Sequence, residues 1–172
     1  NWIIVRPTSI WGPWSLSEHI PYGRFFQVIK KGLYIHPAVA DQARYFGYVE
    51  NSCFQIFYLM INTSDDVLRN KFYLADYKVY DIKDWANLIS KSFGRNKVKV
   101  LPKFLVYLAA FFGDLLKLFG YRNPPFSSFR LKNMQADTTK IPLESTKNFV
   151  PNLPYSIEEG TEKTCKWIDR YG

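Results

Sequence analysis

Two adjacent hydroxyls, Thr8 and Ser9, follow the apolar run Ile3-Ile4-Val5 in the stretch IIVRPTSIWGPW. Such hydroxyls can donate and accept hydrogen bonds with a polar ligand, or they can satisfy the backbone of a turn. Arg44 and Arg130 each carry a planar guanidinium fork, which suits two phosphate oxygens. Arg44 has a plainer alternative, a surface ion pair with Asp41 or Glu50. Tyr34 and His36 lie two residues apart, and each brings an aromatic ring with a polar atom. His19 and His36 are isolated, and Cys53 and Cys165 are far apart. Neither a disulfide framework nor a metal-ligand spacing follows from these.

Those side chains need elements to hold them. Trp2 to Arg6 is a β-branched apolar run ended by Pro7, the pattern of a buried strand. Thr8 to Pro21 reads as loop, broken at Gly12-Pro13. A helix is expected over Arg24 to Lys31, closed by Gly32, with short extended pieces at Leu33 to His36 and Ala43 to Tyr48. Val49 to Ile61 is helical by its spacing, with Val49, Cys53, Ile56, Phe57 and Met60 on one apolar face. Asn70 to Ala75 reads as a strand. Asp81 can cap a helix over Ile82 to Phe93 whose inner face is Ile82, Trp85, Ala86, Ile89 and Phe93. Val98 to Leu101 is a strand before Pro102.

Lys103 to Gly120, KFLVYLAAFFGDLLKLFG, is the most apolar stretch. As a helix it spans about 25 Å, short for a bilayer. A polar or small stripe runs through Lys103, Tyr107, Ala110, Asp114 and Lys117. Two placements fit a wide apolar face with one wet stripe: packed on a core, or lying on a surface. Core packing is the expectation. Beyond Pro124-Pro125, Ser127 to Met134 forms a short helix or strand, and Ala136 to Lys140 can start another helix. Ser156 to Glu159 is a capping box that opens a last helix through Arg170.

At 172 residues the chain is one domain's worth. Its net charge of +8 favours anionic partners. The 23 Lys and Arg are scattered without a five-residue basic run, so nucleic acid is not expected. The unpaired cysteines fit a reducing, cytoplasmic setting, and the first residues carry no signal-peptide pattern.

Four stretches taken together resemble one family. IIVRPTSIWGP is similar to the strand and loop after the catalytic helix of extended short-chain dehydrogenases/reductases, the NAD(P)-dependent nucleotide-sugar epimerases and dehydratases. ARYFGYVENSCFQIFYLM resembles that family's R-x-x-x-Y/H-V-x-D segment and helix. NKFYLADYKVYDIKDWANLIS and the ending ADTTKIPLESTKNFVPNLPYSIEEGTEKTCKWIDRYG resemble its later strand, helix and terminus. The motifs are individually unspecific; their order spans nearly the whole chain. One departure stands out: Asn51 occupies the place where many members have an Asp that ties the helix.

The resemblance implies a mixed α/β substrate-binding lobe, residues 1–172, carrying the last strand or strands of a Rossmann sheet whose remainder, the cofactor domain, is missing upstream. None of the nine glycines lies two or three residues from another, so no G-x-x-G-x-x-G phosphate loop is present. None of the twelve tyrosines has Lys four residues later. The family's general acid/base pair is therefore absent too, and no catalytic residue is assigned. This chain alone is expected to show no turnover and to bind no cofactor; NAD or NADP belongs to the full-length parent.

By the same resemblance Pro7, Thr8 and Ile10 contact the nicotinamide. Thr8, Ser9, Tyr34, His36, Arg44 and Arg130 contact a nucleotide-sugar substrate, with the two arginines on its diphosphate. No metal is expected. A membrane partner is not expected, and self-association is, because both faces of the Ile3-Ile4-Val5 strand are apolar. Two alternatives remain: part of a sterol-type hydroxy-ketone dehydrogenase of the same superfamily with Lys103 to Gly120 on a membrane, or a non-catalytic basic interaction module.

Overall fold

Parallel pairing of distant short strands organises the chain. The computed structural model describes residues 2–15, 21–39, 43–62, 64–121, 127–134 and 139–172; the side chains of Pro21, Arg130 and Met134 lie outside that description. Strand β1 (Ile4–Pro7) pairs in parallel with β5 (Lys71–Leu74), β2 (Ser9–Trp11) with β4 (Phe46–Tyr48), and β3 (Ile35–Pro37) with β6 (Lys99–Leu101). Each parallel pair needs a long crossover. The helices are α1 (Pro21–Lys30), α2 (Val49–Ile61), α3 (Ile82–Ser92), α4 (Lys103–Leu118), α5 (Ser128–Met134), α6 (Glu144–Phe149) and α7 (Ile157–Tyr171). The result is a mixed α/β lobe whose described strands form three two-stranded parallel sheets.

Several elements form for the reasons their sequence gives. The Asp81 carboxylate accepts from the amides of Lys83 and Asp84 at 2.8 and 3.1 Å, which caps α3. Ser156 and Glu159 make the reciprocal capping box of α7, with Glu159 N–H donating to Ser156 Oγ at 3.2 Å and Ser156 N–H donating to Glu159 Oε2 at 2.8 Å. Gly32 ends α1 with φ of +72°, a conformation that favours glycine. Trp85, Ala86 and Ile89 of α3 are buried as its spacing requires.

The core is aromatic. Trp85 sits among Trp11, Phe46, Phe25 and Phe26, with ring centroids 4.9 to 5.8 Å away. Helix α3 packs between α1 and α7 around this group. A second cluster of Leu59, Val67, Phe72, Leu74 and Val150 lies along β5.

Four expectations are corrected. Residues 9–11 are strand rather than loop: pairing with β4 satisfies their backbone and carries Trp11 into the core at 1% exposure. The strand expected at Leu33 to His36 begins two residues later, at Ile35. Helix α2 is rotated: Asn51, Ser52, Gln55 and Leu59 face inward, while Cys53, Phe57 and Met60 face outward. Polar inward residues are tolerated there because Gln55 Nε2 donates to Ala75 O at 2.9 Å and Asn51 is fully partnered. Helix α4 is inverted as well. Its small stripe, Val106, Ala110 and Gly113, meets the core, and its wide apolar face points outward. Small residues allow close approach to Leu131 and Leu101, so they win the buried face. The expected start at Ala136 to Lys140 falls largely on residues outside the description.

Candidate functional site

Thr8 follows the carboxyl end of β1, where the chain leaves the β1–β5 pair for the β2–β4 pair. Its amide donates to Leu74 O at 2.9 Å, which fixes the turn. Its Oγ1 is buried with no hydrogen-bond partner among the described residues, and so is Ser52 Oγ on α2. Both hydroxyls crowd Gly47: a Cβ there would lie 2.8 Å from Ser52 Oγ and 3.6 Å from Thr8 Oγ1. Gly47 thus lets two orphan hydroxyls approach one stretch of backbone. Pro7 and Ser9 are exposed, and Ile10 is half-buried beside Gly47. Ser52 carries no signal that sequence reasoning recognises, because the apolar spacing of α2 points to the opposite inner face.

Tyr34 and His36 do come together. They share a hydrogen bond of 3.1 Å between Tyr34 Oη and His36 Nδ1. His36 is 5% exposed, so its ring belongs to the interior rather than to an open stacking platform. Burial lowers its pKa, with Asp81 opposing. Burial, with Asp81, pushes the Tyr34 phenol up to about 12. Tyr34 borders a hollow of about 360 Å³ whose rim carries Arg95, Lys97 and Lys99.

Arg44 is half-buried and held by a two-way backbone bridge to Tyr80, both bonds 2.9 Å. Its Nη2 donates to Asn133 O at 2.9 Å. That contact places Arg44 against α5, the helix that carries Arg130; the Arg130 side chain lies outside the described residues. Glu50, one of the ion-pair partners considered for Arg44, is taken by Lys163 at 2.6 Å and by the Tyr48 hydroxyl at 2.9 Å. The other, Asp41, and likewise His19, lie outside the described residues. Among the described residues no cluster of His, Cys, Asp or Glu could hold a metal.

Asn51 is tied at both ends of its amide. Its Nδ2 donates to Asp76 Oδ1 at 2.8 Å and to Tyr155 O at 2.9 Å, and its Oδ1 accepts from Tyr155 N–H at 3.1 Å. The carboxylate sits across the contact instead: Asp76, 2% exposed, also accepts from Tyr48 N–H at 3.1 Å. Sequence reasoning misses Asp76, whose place after a strand carries no motif.

Burial pushes the Asp76 carboxyl up to about 6, against the pull of its bonds from Asn51, Tyr48 and Tyr80. The folded value lies above the unfolded 3.8. The neutral acid's advantage is therefore full below about pH 4 and is lost as pH rises through about 6, a change of about 3 kcal/mol. Urea unfolding of wild type and Asp76→Asn across that window checks this. The wild type is expected to lose stability relative to the variant as pH rises, and parallel curves would refute it.

No protein-family model matches this sequence, and no curated protein matches it. Solved structures do share its fold. The protein gox2253 aligns with a TM-score of 0.71 at 15% identity, covering 99% of this chain and 49% of its own. UDP-glucuronic acid 4-epimerase from Bacillus cereus, solved with UDP-glucuronic acid and NAD, aligns at 0.64 and 13%, covering 99% of this chain and 46% of that one. dTDP-glucose 4,6-dehydratase from Bacillus anthracis, solved with NAD, aligns at 0.59 and 13%, covering 98% and 44%. The chain thus spans about half the length of these proteins. Its fold is that of about half of these solved nucleotide-sugar epimerase and dehydratase structures.

Proposed function

We propose that this chain is the substrate-binding lobe of an NAD(P)-dependent nucleotide-diphosphate-sugar epimerase, dehydratase or reductase, with a separate cofactor domain completing the enzyme. The observation that carries this reading is the turn at Thr8. It lies beyond the carboxyl end of a parallel strand, the position where open α/β sheets take ligands. Beside Gly47 the turn's own buried Thr8 Oγ1 lies near Ser52 Oγ of α2, and neither has a hydrogen-bond partner among the described residues. Those hydroxyls fit a carboxamide or a sugar, both of which donate and accept. Pro7 and Ile10 flank them as apolar contacts for a nicotinamide. NAD(P) supplies the hydride acceptor when bound to the complete enzyme.

Arg44, beside α5, is assigned to the diphosphate, together with Arg130 of that helix, and Ser9 and Tyr34 are assigned to the rest of the substrate, with the buried His36 ring orienting Tyr34 through their hydrogen bond. Titration of UDP and dTDP, followed by NMR, tests this. Weak binding is expected, falling about ten-fold or more in Arg44→Ala through loss of a charge-assisted fork. Arg44→Lys should fall between, since it keeps charge without the fork. Equal affinity in wild type and Arg44→Ala would remove Arg44 from the site. One observation favours a second reading, a hydroxy-ketone dehydrogenase with an apolar substrate: the outward aromatic face of α4.

A further inference from the structure

Helix α4 turns Phe104, Leu108, Phe111, Phe112 and Leu118 outward, and Phe119 continues the same face. At 100° per residue these six positions fall within one arc of about 120°. They are 47% to 84% exposed. Phe129 on the adjoining α5 adds another ring at 66%. A contiguous face of this kind marks a docking surface.

Charge identifies what it docks on. Residues 95–134 hold eight Lys and Arg against one acidic residue, Asp114. That segment alone carries +7 of the chain's +8. The rest of the chain has fifteen basic and fourteen acidic residues. A second copy would bring +7 against +7, which opposes self-docking through this face. No helix among the described residues is long and apolar enough to cross a membrane. A short helix with an outward Phe/Leu face and flanking lysines is suited to lie in the plane of a bilayer interface. We infer that α4 and its basic flanks form a site for the surface of an anionic lipid bilayer, with the Phe104–Phe119 face in the acyl boundary and Lys97, Lys99 and Lys103 at the headgroups. The sequence expectation of no membrane partner assumes that this face packs on the core, and its outward orientation removes that premise. The inference is independent of nucleotide-sugar binding, which the UDP titration reads separately.

The test is co-sedimentation of the 172-residue chain with phosphatidylcholine vesicles holding about one-third phosphatidylglycerol. The wild type is expected to pellet with them and to be released as salt is raised. Phe104→Glu/Phe111→Glu is expected to stay in the supernatant with an unchanged thermal midpoint, because both rings are exposed. Lys99→Glu/Lys103→Glu should lose most of the binding. Phe57→Glu, on the outward face of α2, should bind like wild type. Failure of the wild type to pellet, retention of binding by the Phe104/Phe111 variant, or equal binding to pure phosphatidylcholine would overturn the inference. So would light scattering that shows a dimer which the Phe104/Phe111 variant dissolves.

Discussion

Asn51→Asp is expected to destabilise the chain by roughly 3–5 kcal/mol, the range for a buried charge left without its partner. The reason is geometric. Asn51 Nδ2 donates to Asp76 Oδ1 at 2.8 Å and to Tyr155 O at 2.9 Å. An aspartate at that position would set two carboxylates at hydrogen-bond distance in the interior, and one would have to hold a proton. The Tyr155 carbonyl would lose its donor as well. Adding Asp76→Asn to the same chain should recover part of the loss. The pair would then be exchanged: the new amide could donate to the new carboxylate and still accept from Tyr48 N–H, but Tyr155 O would stay unsatisfied. Urea unfolding of both single variants and the double variant gives the coupling directly. Additive losses would show that the two positions do not act as a pair.

Trp85→Ala is expected to cost a similarly large amount, about 3–5 kcal/mol. Trp85 is 2% exposed and its ring meets Trp11, Phe46 and Phe25 at 4.9, 5.0 and 5.4 Å. Its Nε1 donates to Thr161 Oγ1 at 3.1 Å, joining α3 to α7. Trp85→Phe would keep most of the packing but strip a buried hydroxyl of its donor, for a loss of roughly 1–3 kcal/mol. Trp14 is the control: it is 78% exposed, and Trp14→Ala should change stability by about 1 kcal/mol or less. Thermal melts that rank Trp14→Ala beside Trp85→Ala would contradict the position of the core.

The contrast between these tryptophans shows what can be read from residues alone. Periodicity in Ile82 to Phe93 puts Trp85 inside, because Asp81 fixes where the helix starts and its apolar positions form a single stripe. Caps at Asp81 and Ser156 are legible because one side chain reaching its own helix end decides them. Helices α2 and α4 are legible as helices, but their orientation is not. In both, the apolar pattern points to one face and the folded chain buries another, polar in α2 and small in α4. Tertiary contacts choose it, through the small stripe of Val106, Ala110 and Gly113 and through the hydrogen bonds of Asn51 and Gln55. At the site, Thr8, Tyr34 and His36 are found by residue type and resemblance. Ser52, Gly47 and Asp76 are not, since their importance comes from partners distant in sequence.

The pairing of strands fixes the order in which this chain can fold. Ile4 lies opposite Lys71, Ser9 opposite Phe46, and Ile35 opposite Lys99. No described pair is a hairpin, so closing a long loop must precede the first ladder bond in every sheet. Such topologies fold slowly for their size. The capped helices α3 and α7 can form early, from local contacts alone, whereas the β1–β5 ladder must wait for β5. Whatever else β1 meets, its ladder with β5 cannot close until the chain has grown as far as Lys71. That interval is when the chain is most exposed to aggregation and has most use for a chaperone.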